Sequence, residues 1–206
     1  EVAMDFEHWR HYARGWLLHV IGREEQAFKE YATAYRLKPD DVQAARHLAF
    51  IAARRKQFDV ADKWFVEVLR LAPDEADTHF NRGFILEQAG RSREAVAAFA
   101  EAVRLKESLD RAWYGMGLAH ARLGEHAEAA TAFARCAELQ PMNGEGFYQW
   151  GMACHHANQP DDVKKVVRKL ADFDPKRALR LIKDAERADL KHLISEEVQR
   201  FFEGSR

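Results

Sequence analysis

The chain of 206 residues contains only two cysteines, Cys136 and Cys154, too few for a fold stapled by disulfides. Both read as small core residues of a protein in a reducing compartment. There is no surplus of positive charge either. With 32 Lys and Arg against 33 Asp and Glu, nothing neutralises phosphates in bulk, so no nucleic-acid partner is expected. Long apolar runs are missing as well. The longest covers residues 16–21, is interrupted by His19, and is far shorter than the ~20 residues that cross a bilayer, so direct membrane insertion is not expected.

Chemistry-bearing motifs are equally scarce. The sequence has no Gly-rich phosphate loop, no Gly-x-Ser-x-Gly turn, no His-Glu-x-x-His and no Cys-x-x-Cys. Catalysis, a resident metal and other cofactors are therefore not expected. Ten histidines are present, but neither His8 with His11 nor the adjacent His155 and His156 completes a ligand set. No secretory n-region and h-region open the chain, and residue 1 is Glu. A cytoplasmic location is favoured, while an upstream segment would leave a membrane-anchored or periplasmic protein open.

Proline is rare, and its placement organises everything else. Pro39, Pro73, Pro141 and Pro175 are separated by 34, 68 and 34 residues. A period of 34 divides the chain into units at 8–41, 42–75, 76–109, 110–143 and 144–177, with the proline at position 32 and Glu107 replacing it once. In this register position 8 reads Gly15, Ala49, Gly83, Gly117 and Gly151, and position 20 reads Ala27, Ala61, Ala95, Ala129 and Val163. A helical glycine costs about 1 kcal/mol relative to alanine, so its recurrence needs a packing reason; a small residue on each of two antiparallel helices predicts close backbone approach. Position 24 supplies Tyr31, Phe65, Phe99, Phe133 and Val167, and position 30 supplies Leu37, Leu71, Leu105, Leu139 and Phe173. Gly22, Gly90, Gly124 and Asn158 at position 15 mark a turn with left-handed backbone, a column that Lys56 breaks.

The small residues at 8 and 20, the aromatic at 24 and the proline at 32 resemble the tetratricopeptide repeat (TPR). The likeness spans about 170 residues. It implies an all-α fold: a right-handed α-solenoid of five helix-turn-helix hairpins in residues 1–177. Residues 178–206 would form a C-terminal capping helix and a tail helix. The tail helix is expected from an apolar stripe through Leu190, Leu193, Ile194, Val198, Phe201 and Phe202.

In such arrays the first helix of each hairpin lines a concave face, which places positions 2, 5, 9, 12 and 13 there. Position 9 reads Trp16, Phe50, Phe84, Leu118 and Met152, where many members of the family carry a polar residue, often Asn. The candidate groove is therefore apolar and aromatic: Trp9, Tyr12, Trp16, Arg46, Phe50, Phe80, Asn81, Phe84, Arg111, Tyr114, Leu118, Tyr148 and Met152. Aromatics and arginines are the side chains that most often anchor interfaces. The expected partner is a protein or peptide segment, either an amphipathic helix or an extended strand. Covering of part of this strip by residues 1–7 or by the tail is an alternative. The expected role is that of a protein–protein interaction scaffold or adaptor. Kept beside it are a substrate-recruiting module of a larger enzyme and a self-assembling scaffold with homo-oligomers formed through the C-terminal tail.

Overall fold

The computed structural model describes residues 2–203, and side chains from residue 6 to residue 202. The outermost ends of the predicted 1–177 and 178–206 segments, and the side chains of residues 1–5, lie outside the described residues. Among the described residues every regular element is helical: α1 (Val2–Val20), α2 (Glu24–Leu37), α3 (Val42–Arg54), α4 (Phe58–Leu71), α5 (Ala76–Gln88), α6 (Ser92–Leu105), α7 (Asp110–Arg122), α8 (His126–Leu139), α9 (Gly144–His156), α10 (Pro160–Phe173), α11 (Pro175–Asp184), a 3-10 turn (Ala188–Leu193) and α12 (Glu196–Glu203). They form two compact units, Glu1–Lys106 and Glu107–Arg206, each of which stacks helical hairpins.

The punctuation explains why the helices begin and end where they do. Gly22, Gly90 and Gly124 take φ of +79°, +76° and +74°, the left-handed conformation that turns the chain out of each first helix. Lys56 and Asn158 occupy the equivalent place with φ of +57° and +55°, so the turn forms without glycine, at a backbone cost that falls on Lys56 more than on Asn158. The closing bonds are the same in both cases: Arg23 N–H donates to the Leu18 carbonyl at 2.8 Å and Gln57 N–H to the Ala52 carbonyl at 2.9 Å. Each second helix ends on its position-30 residue, from Leu37 to Phe173. The proline two residues on disfavours a further helical turn. Where Glu107 replaces it, α6 still stops at Leu105, so the proline reinforces a stop that the packing already imposes.

Tyr31, Phe65, Phe99 and Phe133 are the largest fully buried side chains, each on a second helix. Burying a ring of this kind contributes about 1.5–3 kcal/mol. The small residue at position 8 turns out to serve this ring. A Cβ built on Gly83 would lie 2.7 Å from Phe99 Cδ1, and one on Gly117 would lie 2.7 Å from Phe133 Cδ1. Position 8 thus makes a backbone-to-ring contact with position 24.

The C-terminal end also departs from expectation in detail. Asp174 caps α11 by accepting from Arg177 N–H at 3.1 Å, and Leu181 and Ile182 bury against the last hairpin. A Cβ on Gly151 would meet Leu181 Cδ2 at 2.4 Å, so α11 supplies to the fifth hairpin the filling that Val167 is too short to provide. The apolar stripe of residues 190–202 is not one helix. Ile194, in extended backbone, separates the 3-10 turn from α12, and this bend lets Leu190 and Ile194 enter the core while Phe201 stays exposed.

Candidate protein-binding face

In the first unit the leading helices α1, α3 and α5 are tied side by side by polar contacts. His8 Nε2 lies 2.7 Å from Asp41 Oδ2, while Asp41 Oδ1 accepts from Gln43 N–H and Ala44 N–H and so caps α3. Tyr12 OH lies 3.2 Å from His47 Nε2, and Arg54 reaches His19 Nε2 at 3.3 Å. From α3, Arg46 donates both guanidinium nitrogens to Glu75, just ahead of α5, at 2.8 and 2.9 Å. That fork holds the Glu75 carboxyl below its ordinary range.

Trp16, Phe50 and Phe84, one per leading helix, are 55%, 38% and 52% exposed. Each follows a small position-8 residue that is locked against the hairpin core, so the backbone aims the next side chain outward. Phe50 lies edge-on to the buried Phe65, with ring centroids 5.8 Å apart, and its outer face is left open. Beside these, Tyr12 and Phe80 are half-buried against Tyr31 and Phe99, and Asn81 is half-buried on α5. Trp9 is exposed and stands edge-on to His8 and Tyr12.

In the second unit the position-9 column is different. Leu118 and Met152 pack in part against the hydrophobic core, as does Tyr114. Tyr148 is buried; its hydroxyl donates to Asp184 at 2.7 Å and Arg180 lies 4.4 Å over its ring, so α11 occupies it. Arg111 is exposed on α7. The open aromatic side chains of the predicted set are therefore Trp9, Trp16, Phe50 and Phe84, all in the first unit.

Two side chains on the same face were missed by sequence reasoning. His47 stacks on Tyr31 with ring centroids 4.5 Å apart and an interplanar angle of 10°, and His19 lies 6.0 Å from it. Burial, reinforced by His19, pushes the His47 imidazole below its ordinary pKa. His19 falls on position 12, which the family register already assigned to this face, while His47 falls on position 6, one residue after Arg46.

Two further histidines are engaged structurally. His11 meets Glu30 at 2.6 Å, and His120 meets Glu125 at 2.7 Å. Among the described residues no group of three or more His, Cys, Asp or Glu side chains is arranged to hold a metal. Burial pushes the Cys136 thiol up to about 11 and that of Cys154 up to about 12. No described helix is long and apolar enough to cross a membrane.

Tetratricopeptide repeat profiles match residues 76–109 and 110–143, the third and fourth of the 34-residue units. Among curated proteins none matches closely enough to count as a relative. Solved structures do. YrrB, described as a TPR protein with an unusual peptide-binding site, superposes with a TM-score of 0.70 at 22% identity over 84% of this chain and 90% of its own. A MamA protein reaches 0.73 at 17% identity over 89% and 96%, and pilF of Pseudomonas aeruginosa 0.62 at 20% identity over 98% and 95%. The matched repeats, the 34-residue columns and the helical hairpins they build agree: residues 76–143 carry two tetratricopeptide repeats, a class of helical protein–protein interaction module, within an array of the same fold.

Proposed function

We propose that this chain is an adaptor that captures a peptide or helical segment of a partner protein on the face formed by α1, α3 and α5. The observation that carries this reading is the exposure of Trp16, Phe50 and Phe84 at one repeat position, next to residues locked in the core. Three large apolar side chains held open on rigid helices lose little conformational entropy on binding, which is what makes such residues anchors. Arg46, Arg54 and Asn81 border them and supply polar contacts at the rim. A segment with apolar residues on one side and mixed charge on the other fits this surface. The likeness to YrrB, whose description names a peptide-binding site, agrees with this choice of ligand.

The reading is one of binding without chemistry. Thiols raised to about 11 and 12 are not nucleophiles at neutral pH, and the paired histidines have carboxylate partners that hold the helices together.

Replacing Phe50 and Phe84 together by Ala tests it. Partners recovered by affinity purification with the unaltered chain should be lost with F50A/F84A, while helical content and the melting transition stay nearly the same. Recovery of the same partners by the double variant would refute the assignment.

A further inference from the structure

The outer sides of the second helices carry charges in pairs. Lys29 meets Glu25 at 3.1 Å on α2, Arg70 meets Glu67 at 2.7 Å on α4, Arg104 meets Glu101 at 2.9 Å on α6 and Arg135 meets Glu138 at 2.7 Å on α8. On α10 the pattern stops. Lys164, Lys165, Arg168 and Lys169 are all exposed, and none has a carboxylate within 4.0 Å among the described residues. The acids of this helix stand at its ends, Asp161 and Asp162 in the first turn and Asp172 in the last, which leaves the middle with one sign of charge.

Such a cluster works against the helix that bears it. Lys164 with Arg168 and Lys165 with Lys169 are one turn apart, and Lys165 with Arg168 three residues apart, so like charges sit side by side and destabilise the helix. Solvation alone would be served as well by mixed signs, as on the other second helices. The repeat supplies a standard for comparison. Positions 21, 22, 25 and 26 hold one cation in the first repeat (Lys29), one in the second (Lys63), none in the third and one in the fourth (Arg135), against four in the fifth. Position 22 is exposed in all five repeats, so the openness of Lys165 belongs to the repeat and not to its place in the array. Lys165 Nζ also stands 5.4 Å over the Trp150 ring, a cation–π contact that holds the charge in place.

We infer that this side of α10 docks an acidic helical segment of another protein. The proposed peptide face, on α1, α3 and α5, is not involved. The two rows, Lys164 with Arg168 and Lys165 with Lys169, are spaced by one helical turn, about 5–6 Å, the spacing at which Asp or Glu residues recur at i and i+4 on a partner helix. Arg168 can take a carboxylate with two parallel hydrogen bonds, while the lysines act as point charges. A lipid surface fits less well. The apolar side of α10 is hairpin core, with Val163, Val166, Val167 and Leu170 at most 1% exposed, so the helix has nothing to insert and would hold a membrane by charge alone. The formal charge of the whole chain is −1, so the attraction is local, confined to about 10 Å at 0.1 M salt.

Fluorescence anisotropy at about 50 mM salt tests the docking with the full 206-residue chain and a labelled helical peptide of about 20 residues, Glu at i and i+4 along one face and Ala and Gln elsewhere. The expected result is saturable binding at least about 10-fold tighter than that of the same peptide with Gln for Glu. K165E/K169E should weaken it about 10-fold or more, and K165Q/K169Q by less. K63E/K106E, with the same change in net charge at two exposed lysines elsewhere, should leave it within about 2-fold. All four positions are exposed, so circular dichroism should be unchanged. Absence of saturable binding, equal binding of the two peptides, or equal weakening by the two Glu variants overturns the inference. So does sedimentation with phosphatidylserine vesicles without any preference for the Glu peptide, which would assign the face to lipid. F50A/F84A should bind the Glu peptide as the unaltered chain does, so failure of the peptide face and failure of this one are read separately.

Discussion

Gly83→Ala asks whether the repeating glycine is there for the ring beneath it. Two effects oppose each other. On an exposed helix the change would stabilise by about 1 kcal/mol, because alanine loses less backbone freedom on folding. At Gly83 the new Cβ would stand 2.7 Å from Phe99 Cδ1 and 2.8 Å from Cε1, distances that Cβ atoms do not occupy. The ring is 1% exposed and has little room to retreat, so α5 and α6 must separate by several tenths of an ångström. Overpacking of this degree costs about 1–3 kcal/mol. The second 34-residue repeat, residues 42–75, bounds the answer, because Ala49 already stands at this position while Phe65 fills the ring site. A hairpin can thus be built with the methyl group, and the outcome should be a net loss of up to about 2 kcal/mol, not an unfolded chain. Urea denaturation followed by circular dichroism at 222 nm would show it, fitted with a repeat-array treatment because stacked hairpins need not unfold in one step. Combining Gly83→Ala with Phe99→Leu should recover part of the loss, since the smaller side chain vacates the volume the methyl needs. A single variant as stable as the unaltered chain, or more so, would refute the ring-contact explanation. The consequence reaches the binding face, because Phe84 is the next residue and its direction is set by the same contact.

Other perturbations separate structural from functional roles. Asp62 is buried and receives Arg82 Nε at 2.7 Å and Arg91 at 3.0 Å, so Asp62→Ala should cost about 1.5–3 kcal/mol, whereas breaking the exposed Arg104–Glu101 pair with Arg104→Ala should cost under about 1 kcal/mol in the same urea assay. His47 is held neutral by burial, so its folded pKa lies below the unfolded value of about 6.5 and the unfolded chain takes up the proton first. Stability should therefore be full above about pH 6.5 and fall as the pH drops below it, and His47→Gln should flatten the difference in urea midpoint measured at about pH 7.5 and 5.5. Cys136 and Cys154, with thiols raised to about 11 and 12, should resist iodoacetamide at neutral pH until the chain is unfolded, as mass spectrometry would report.

Much of the fold can be read from the 34-residue columns because each column is a packing requirement repeated. A ring at position 24 needs a gap at position 8, and the second helix must stop at position 30 for the next hairpin to begin. Lys56 shows the limit of such reading: the column lacks glycine there, yet the backbone is left-handed, because the flanking hairpin dictates the turn more strongly than the residue resists it. The tail shows another limit. Residues 190–202 carry helical spacing, but burying Leu190 and Ile194 in the cap bends the chain between them and splits the helix.

For the candidate site, the sequence by itself determined the register: which residue of each repeat follows the small one and so points away from the hairpin core. Only the tertiary structure decided which of those residues are left open. The reason is that exposure depends on neighbours distant in the chain. Met152 shares its position with Phe84 yet packs on a core, and Tyr148 is taken by Asp184 and Arg180 of α11. Leu17 occupies the column of Ile51 and Ile85, yet it is 54% exposed where they are 0% and 2%. Local spacing sets a side chain's direction, whereas the element stacked in that direction sets whether the side chain becomes core or surface.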